Sequence, residues 1–391
     1  MLRSLYSGIS GLRSHQTMLD VTGNNIANVN TAAFKASAVQ FQDTLSQLTS
    51  GAGSPQEQIG GTNPAQVGLG VRVAGISTNF AQGSAQATGR ASDLMISGDG
   101  FFVTKLGGQT LYTRAGSFDF DAAGNMVAPD GSLVQGWPAT NGVVNENGPL
   151  GNIVLPRGAV SPGTRTTSTQ FTGNLPSDAA VGTALVRDVK VYDAAGTERS
   201  VSLTFTKSAT GWDIAGVDAN GATATGTLTF DAAGALTAGG SLTLGGIAVD
   251  MTKLTGYAKL STVAATKTDG NAAGTLQSYT LSADGTLVGS FSNGSSQALG
   301  RVVLATFPNP GGLEKAGSSS YIATFNSGEA EVGAPGSGSI GSLTSGALEM
   351  SNVDLSQEFT NLIVAQRGFQ ANARIITTSD EVLQELTNLK R

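Results

Sequence analysis

Hydrophobic positions along this chain follow two rhythms, a spacing of three and four at either end and a spacing of two through most of the middle. Between Ser351 and Arg391, residues Leu355, Phe359, Leu362, Phe369, Ala373, Ile376 and Leu383 keep one alternating four-then-three spacing, which lays an apolar seam along a single helix face. Gln366, Asp380 and Thr387 interrupt it; Gln366 and Asp380 either fix register or meet polar neighbours, with plain solvent exposure as the alternative. Asn352 is the expected N-cap, with Asp354 in the first turn, and Lys390 and Arg391 suit the negative end of the helix dipole. A helix from Val353 to Leu389 would span roughly 55 Å, and a seam of this kind is unstable alone in water. The expected mate lies at the opposite terminus, where Leu2, Leu5, Ile9, Leu12, Leu19 and Ile26 keep the same spacing and Gln16 and Gly23 fill the gaps. Away from that second seam lie Ser4, Ser7, Gly8, Gly11 and Ser14, in place of the Lys and Glu of a solvated helix. Small uncharged faces allow close helix approach, so the pair is expected to pack against further copies; a self-contained helical hairpin is the alternative.

Four asparagines, Asn24, Asn25, Asn28 and Asn30, then favour turns and side-chain to backbone hydrogen bonds, so the first helix should end or bend there. Val39, Phe41, Leu45 and Leu48 roughly share a face, which suggests a short helix within 36–48, followed by a Gly- and Pro-rich extended connection over 50–68. From Gly70 the period becomes two. Short strand candidates around Val71–Val73, Leu94–Ile96, Phe101–Val103, Leu111–Thr113 and Ser117–Phe120 are divided by Gly-containing turns. Asp121-Ala-Ala-Gly124, Asp193-Ala-Ala-Gly196 and Asp231-Ala-Ala-Gly234 read as hairpin turns, in which Asp opens the turn and Gly takes the positive φ. The expected organisation is α+β and mainly β. Residues 1–27 and 353–391 make a terminal helical assembly domain, and 28–70 a linker. A first β domain over 71–156 and 268–352 carries a second, Thr- and Gly-rich one inserted at 157–267. The Gly-rich stretch 328–346 leads to the last helix without an element of its own.

Composition narrows the function. Only 13% of the 391 residues are charged while 54 are Gly, and the 39% hydrophobic content is enough for real cores. A net charge of −6 with no Lys/Arg cluster argues against nucleic acid, which needs a basic face. No run approaches a membrane span, and Ser4, Ser7, Gly8, Ser10 and Gly11 break any signal-peptide core after Met1-Leu2-Arg3, so neither membrane insertion nor a cleaved signal is expected. Cysteine is absent and His15 is the one histidine, which removes thiolate chemistry and His metal clusters and leaves little room for a triad. Asp119, Asp121 and Gly124 are similar to the start of a calcium loop, but Ala123 stands at a ligand position and Asp130 replaces the final Glu, so a hairpin turn is the better reading. Gly68-Leu69-Gly70 and Gly98-Asp99-Gly100 lack the third glycine of a dinucleotide fingerprint. No catalytic residue, metal or cofactor is expected.

Three motifs follow one another along the chain. The first is Ser7-Gly8-Ile9-Ser10-Gly11-Leu12 with Leu19-Asp20-Val21 and Asn24-Asn25-Ile26-Ala27-Asn28-Val29-Asn30-Thr31. The second is Asp93-Leu94-Met95-Ile96-Ser97-Gly98-Asp99-Gly100-Phe101-Phe102. The third runs from Ser351-Asn352-Val353-Asp354-Leu355 through Ala365-Gln366-Arg367-Gly368-Phe369-Gln370-Ala371-Asn372. In this order they resemble the bacterial flagellar rod and hook axial proteins. Ala33 departs from the family's usual Gly before Phe34-Lys35, which bears on the local turn. The middle, about 157–267, carries no matching motif; length and this insert favour the hook type over the shorter rod type. The resemblance implies a homopolymer in a helical tube that couples rod to filament flexibly. It implies export unfolded through the flagellar channel, and contact with distal rod, hook cap, hook–filament junction and export apparatus. A rod subunit of the same family is the near alternative, and a secreted β-rich enzyme or adhesin the far one.

Overall fold

The structure is a computed structural model that describes residues 2–55, 60–156, 158 and 160–388. It is mainly β, with one long helix at each end: α1, Leu2–Ala27, and α2, Leu355–Asn388. The chain forms two compact units, one of residues 1–155, 281–287 and 298–391, the other of 156–280 and 288–297. The inserted unit therefore extends past Lys267 to Thr280 and takes in a second short segment, 288–297, after the chain has passed once through the first unit at 281–287.

In the first unit, strand Ser37–Asp43 pairs antiparallel with Val71–Thr78 through a bulge at Gln40/Phe41, and Ser46–Ser50 pairs with Ala65–Gly68 as an exposed two-stranded ribbon. These strands occupy the span read from sequence as a short helix. Val39 and Phe41 alternate with Gln40 and Gln42, and a strand partner in Val71–Thr78 decides between the two periods. Beyond them, Phe101–Leu106 is flanked by the hairpin strand Gln109–Thr113 and by Leu304–Thr306. Phe101, Val103, Trp137, Val303, Phe307 and Tyr321 fill the core beside this sheet, with edge-on ring contacts such as Tyr112–Phe307 at 4.8 Å. The Gly-rich stretch before α2 is not devoid of structure: Glu331–Gly333 pairs with Leu304–Thr306, Ser342–Ser345 with Leu94–Ser97, and Ala347–Glu349 with Ala85–Ala87. Pairing partners far off in sequence supply order that local composition does not.

The inserted unit packs a four-stranded sheet against a five-stranded antiparallel one over a shared core that includes Phe171, Leu203, Phe205, Trp212, Ile214 and Met251. Its turns are built as the sequence pattern predicts. Gly196 and Gly234 lie at φ 78° and 82°, and their amides donate to Asp193 and Asp231 carbonyls. In the first unit, Gly124 does the same with Asp121.

Candidate assembly site

α1 and α2 run antiparallel against each other. A Cβ on Gly8 would lie 3.4 Å from Ile376 and 3.5 Å from the Asn372 carbonyl, one on Gly11 would strike the Asn372 side chain at 2.6 Å, and one on Gly368 would strike the His15 ring at 2.5 Å. Farther along, Asn25 Nδ2 donates to Glu358 Oε1 at 3.2 Å. Gly8, Gly11, Ser14, Thr22 and Asn25 are the buried positions of α1, and Ala365 is buried on α2.

The line of closest approach on α1 therefore runs through Gly8, Gly11, His15, Thr22 and Asn25, one residue before the seam at Ile9, Leu12, Gln16, Gly23 and Ile26. One residue is a rotation of about 100°. The expectation that Gly8, Gly11 and Ser14 face away from the mate is corrected: close approach is realised within one chain, because columns without bulky side chains bring backbones nearest. Leu5, Ile9, Leu12, Leu19 and Ile26 flank the line half-buried, as do Leu362, Phe369, Ala373, Ile376 and Leu383 on α2. Leu355, Phe359, Gln366 and Asp380 are exposed, Phe359 by 51%. The side chain of Leu2, and Lys390 and Arg391 entirely, lie outside the described residues. Tyr6, Ile363, Val364, Ile375, Val382 and Leu386 also leave large apolar groups in solvent.

At its other flank α1 meets the strand pair. Ser10 Oγ accepts from the Val71 amide at 3.2 Å, and Asn25 satisfies both backbone groups of Ser37, donating to its carbonyl at 2.8 Å and accepting from its amide at 3.0 Å. Asn28 donates to the Asn24 carbonyl and accepts from Thr31 Oγ1, which closes the helix end. Asn24, Asn28, Thr31 and Phe34 share the wall of a groove of about 540 Å³ with Lys315 and Tyr321. Lys315 Nζ sits 5.4 Å over the Phe34 ring, and burial lowers its pKa. Asn30 and Arg367 are exposed. Asn372 donates to the Gly368 carbonyl at 2.8 Å. Gly98 and Gly100 take φ of 105° and 139° on the way into buried Phe101.

Asn352 is not the N-cap of α2. Asp354 Oδ1 accepts from the Ser356 and Gln357 amides at 2.8 and 3.2 Å and caps the helix. Asn352 instead accepts from the Ala36 amide at 2.8 Å and donates to the Asn79 and Ala81 carbonyls, tying three segments together at the root of both helices. Ala33, where the family favours Gly, is buried at φ 56°, and its amide donates to the Glu349 carbonyl at 2.8 Å. Lys35 is wholly buried against Glu349, and burial lowers its pKa more than the Glu349 hydrogen bond raises it. Tyr321, nearby, is pushed up to about 12, chiefly by burial. Sequence reading singled out Lys35 but missed Glu349 and Arg114; the one signal was a lone carboxylate in the apolar run Ala347-Leu348-Glu349-Met350.

Among the described residues no group of three or more His, Asp or Glu side chains is placed to hold a metal, and no helix is long and apolar enough to cross a membrane. Family profiles match at three places: the flagella basal body rod protein over residues 5–35, the D1 domain of the flagellar hook protein FlgE/F/G over 95–171, and the C-terminal part of the flagellar basal body rod FlgEFG proteins over 344–389. The chain is 40% identical to the flagellar hook protein FlgE of Borreliella burgdorferi, with 100% of both chains covered. It is 35% identical to the FlgE of Salmonella typhimurium over 99% of this chain and 100% of that one, and 36% identical to the flagellar basal-body rod protein FlgG of Bacillus subtilis over 100% of both. A crystal structure of Helicobacter pylori flagellar hook protein FlgE2 superposes loosely, with a TM-score of 0.49 at 14% identity over 68% of this chain and all of that one. Matched from end to end by hook proteins, and carrying family sequence at both of the helices that its fold packs together, this chain belongs to the flagellar hook protein family, structural proteins of the flagellum.

Proposed function

We propose that the protein polymerises into the tubular, flexible hook, with the α1–α2 pairs of many copies joined side by side and the β units outside them. The observation that supports this reading is the apolar surface the pair leaves open: Tyr6, Phe359, Ile363, Val364, Ile375 and Val382 are exposed on helices that already pack on each other. The β units would slide on one another across small polar surfaces as the tube bends. On this reading the protein is not an enzyme. It leaves the cell unfolded through the flagellar channel, and meets distal rod, hook cap and hook–filament junction proteins at the tube's ends. Deleting 1–26 or 353–391 is expected to abolish polymers seen by electron microscopy while the β units stay folded; tubes from either truncation would overturn the proposal. The full-length match to a rod protein favours one second reading, a rod subunit. Straight, rigid polymers of the intact chain would select it.

A further inference from the structure

Three charged side chains lie buried where the helix roots meet the β-structure. Lys35 Nζ is 2.7 Å from Glu349 Oε1 and donates to the Ala81 carbonyl at 2.7 Å. The same Oε1 accepts from the Gly83 amide at 2.8 Å, and Arg114 Nε stands 3.3 Å from Glu349 Oε2, an ion pair without hydrogen-bond alignment. Side-chain exposures of Lys35, Glu349 and Arg114 are 0, 0 and 3%. Arg114 also donates to the Phe80 and Gly98 carbonyls. A Cβ on Gly83 would fall 2.0 Å from the Met350 carbonyl oxygen, so the backbones themselves are in contact here.

The residues come from different stretches of chain. Lys35 belongs to the N-terminal segment, Glu349 to the C-terminal one, and Arg114 to the β-structure between them. The cluster holds two cations and one anion. With Glu349 withdrawn, Lys35 and Arg114 would be two buried cations with no counterion. With Lys35 withdrawn, Glu349 keeps Arg114 and the Gly83 amide. A buried charge stripped of its partner is far more unfavourable than either the pair or its neutral replacement.

We infer that the Lys35–Glu349–Arg114 cluster is a one-way lock: the N-terminal segment through Ser37–Asp43 seats on the β-structure only when the C-terminal segment carrying Glu349 is already in place. The backbone bonds agree with that order. The Ala33 amide donates to the Glu349 carbonyl and the Ala36 amide to Asn352, so two bonds of the N-terminal segment use C-terminal acceptors, beside those that Lys35 and Ser37–Asp43 make to the β-structure. Ordering of the helix pair therefore waits for the last part of the chain.

Hydrogen exchange on the full-length dissociated subunit tests this without reference to any polymer. Glu349→Gln is expected to speed exchange over residues 31–43 as well as 345–352 by roughly several hundredfold, the size set by breaking a buried ion pair. Strands 198–218 of the inserted unit should be unchanged. Lys35→Met should loosen 31–43 much less. The double variant, with one buried cation fewer, should exchange more slowly over 31–43 than Glu349→Gln alone. The lock is overturned if Glu349→Gln loosens 345–352 only, if Lys35→Met loosens both segments as much, or if the double variant exchanges as fast as Glu349→Gln. It also falls if 101–113 opens to the same degree, since the whole unit would then have been lost.

Discussion

Gly8 offers a direct test of how the helices meet. Ala and Leu have nearly equal helix propensity, and each exceeds Gly by about 1 kcal/mol at a helix interior position. On a helix free in solvent the two substitutions would stabilise alike. Against α2 they should diverge. A Cβ at position 8 lies 3.4 Å from Ile376 Cγ1 and 3.5 Å from Ile375 Cγ2 and the Asn372 carbonyl oxygen, ordinary van der Waals distances, so Ala fills the crossing without moving anything. Gly8→Ala therefore gains the propensity difference and part of a buried methyl, about 1–2 kcal/mol in all. The isobutyl group of Leu would have to occupy space that both isoleucines already fill, and overpacking of this kind costs typically 1–3 kcal/mol.

Gly8→Leu is thus expected to fall below Gly8→Ala by about 2–3 kcal/mol. At roughly 2–4 °C per kcal/mol for a unit of this size, that separates the melting temperatures by about 4 °C or more. Far-ultraviolet circular dichroism reads it directly, since α1 and α2 are the long helices of the chain. Equal stabilisation by Ala and Leu would refute the crossing at Gly8 and return the mate-facing role to the seam through Ile9.

Asp354→Ala should cost about 1 kcal/mol as a lost N-cap, whereas Asn352→Ala, which strands the Ala36 amide and the Asn79 carbonyl while Ala81 keeps Lys35 Nζ, should cost about 2 kcal/mol or more; thermal melts that reverse this order would restore Asn352 as the cap. Ala33→Gly should change stability by less than about 0.5 kcal/mol, because relief of the left-handed conformation, about 1–2 kcal/mol, is offset by the lost buried methyl and the freer unfolded chain, while Ala33→Val should destabilise by 2 kcal/mol or more, all read by chemical denaturation. In the inserted unit, Asp269 sits at a pKa of about 2: burial pulls it up, but the Thr167 hydroxyl and the Thr167 and Ser168 amides outweigh that. Asp250 is held at about 2 by the Thr252 hydroxyl, the Gln170 amide and the Thr252 amide. Both folded values lie below the unfolded one, so their stabilisation is full above about pH 4 and is lost as pH falls toward 2. An Asp250→Asn/Asp269→Asn variant should flatten that acid limb in Trp212 fluorescence.

The two terminal helices and the alternation of the middle were legible because each rests on a period that only one kind of element satisfies. The face of α1 that meets α2 was legible only to within one residue. Hydrophobic spacing marks where large side chains gather, and the closest approach belongs to the column beside it, where Gly8 and Gly11 have no Cβ to hold the backbones apart. Residues 36–48 fit both periods, and the distant strand Val71–Thr78 settled them. The Lys35–Glu349 pair joins positions separated by 314 residues, and nothing local to either end marks it. Asn352 was chosen as a cap on residue type alone, although Asp354 serves equally well and leaves Asn352 free to hold the helix roots.

The offset of one residue also explains how one pair of helices can serve two interfaces. Had the leucine and isoleucine columns met face to face, the pair would have consumed its own apolar surface and presented Ser and Gly outward. With small residues at the crossing instead, the large side chains are displaced to the flanks, where Leu5, Ile9 and Leu12 are half-covered and Phe359, Ile363 and Val364 stand in solvent. Burial of that remaining surface is worth about 25 cal/mol per Å², and on the proposed reading another copy supplies it. Exposed carboxylates on α2, Asp380, Glu381 and Glu385, and exposed arginines on α1, Arg3 and Arg13, offer opposite charges that would orient a neighbour more than they would hold it. The small-residue column thus does not compete with assembly: by sealing the pair at low side-chain volume, it leaves the apolar flanks available for it.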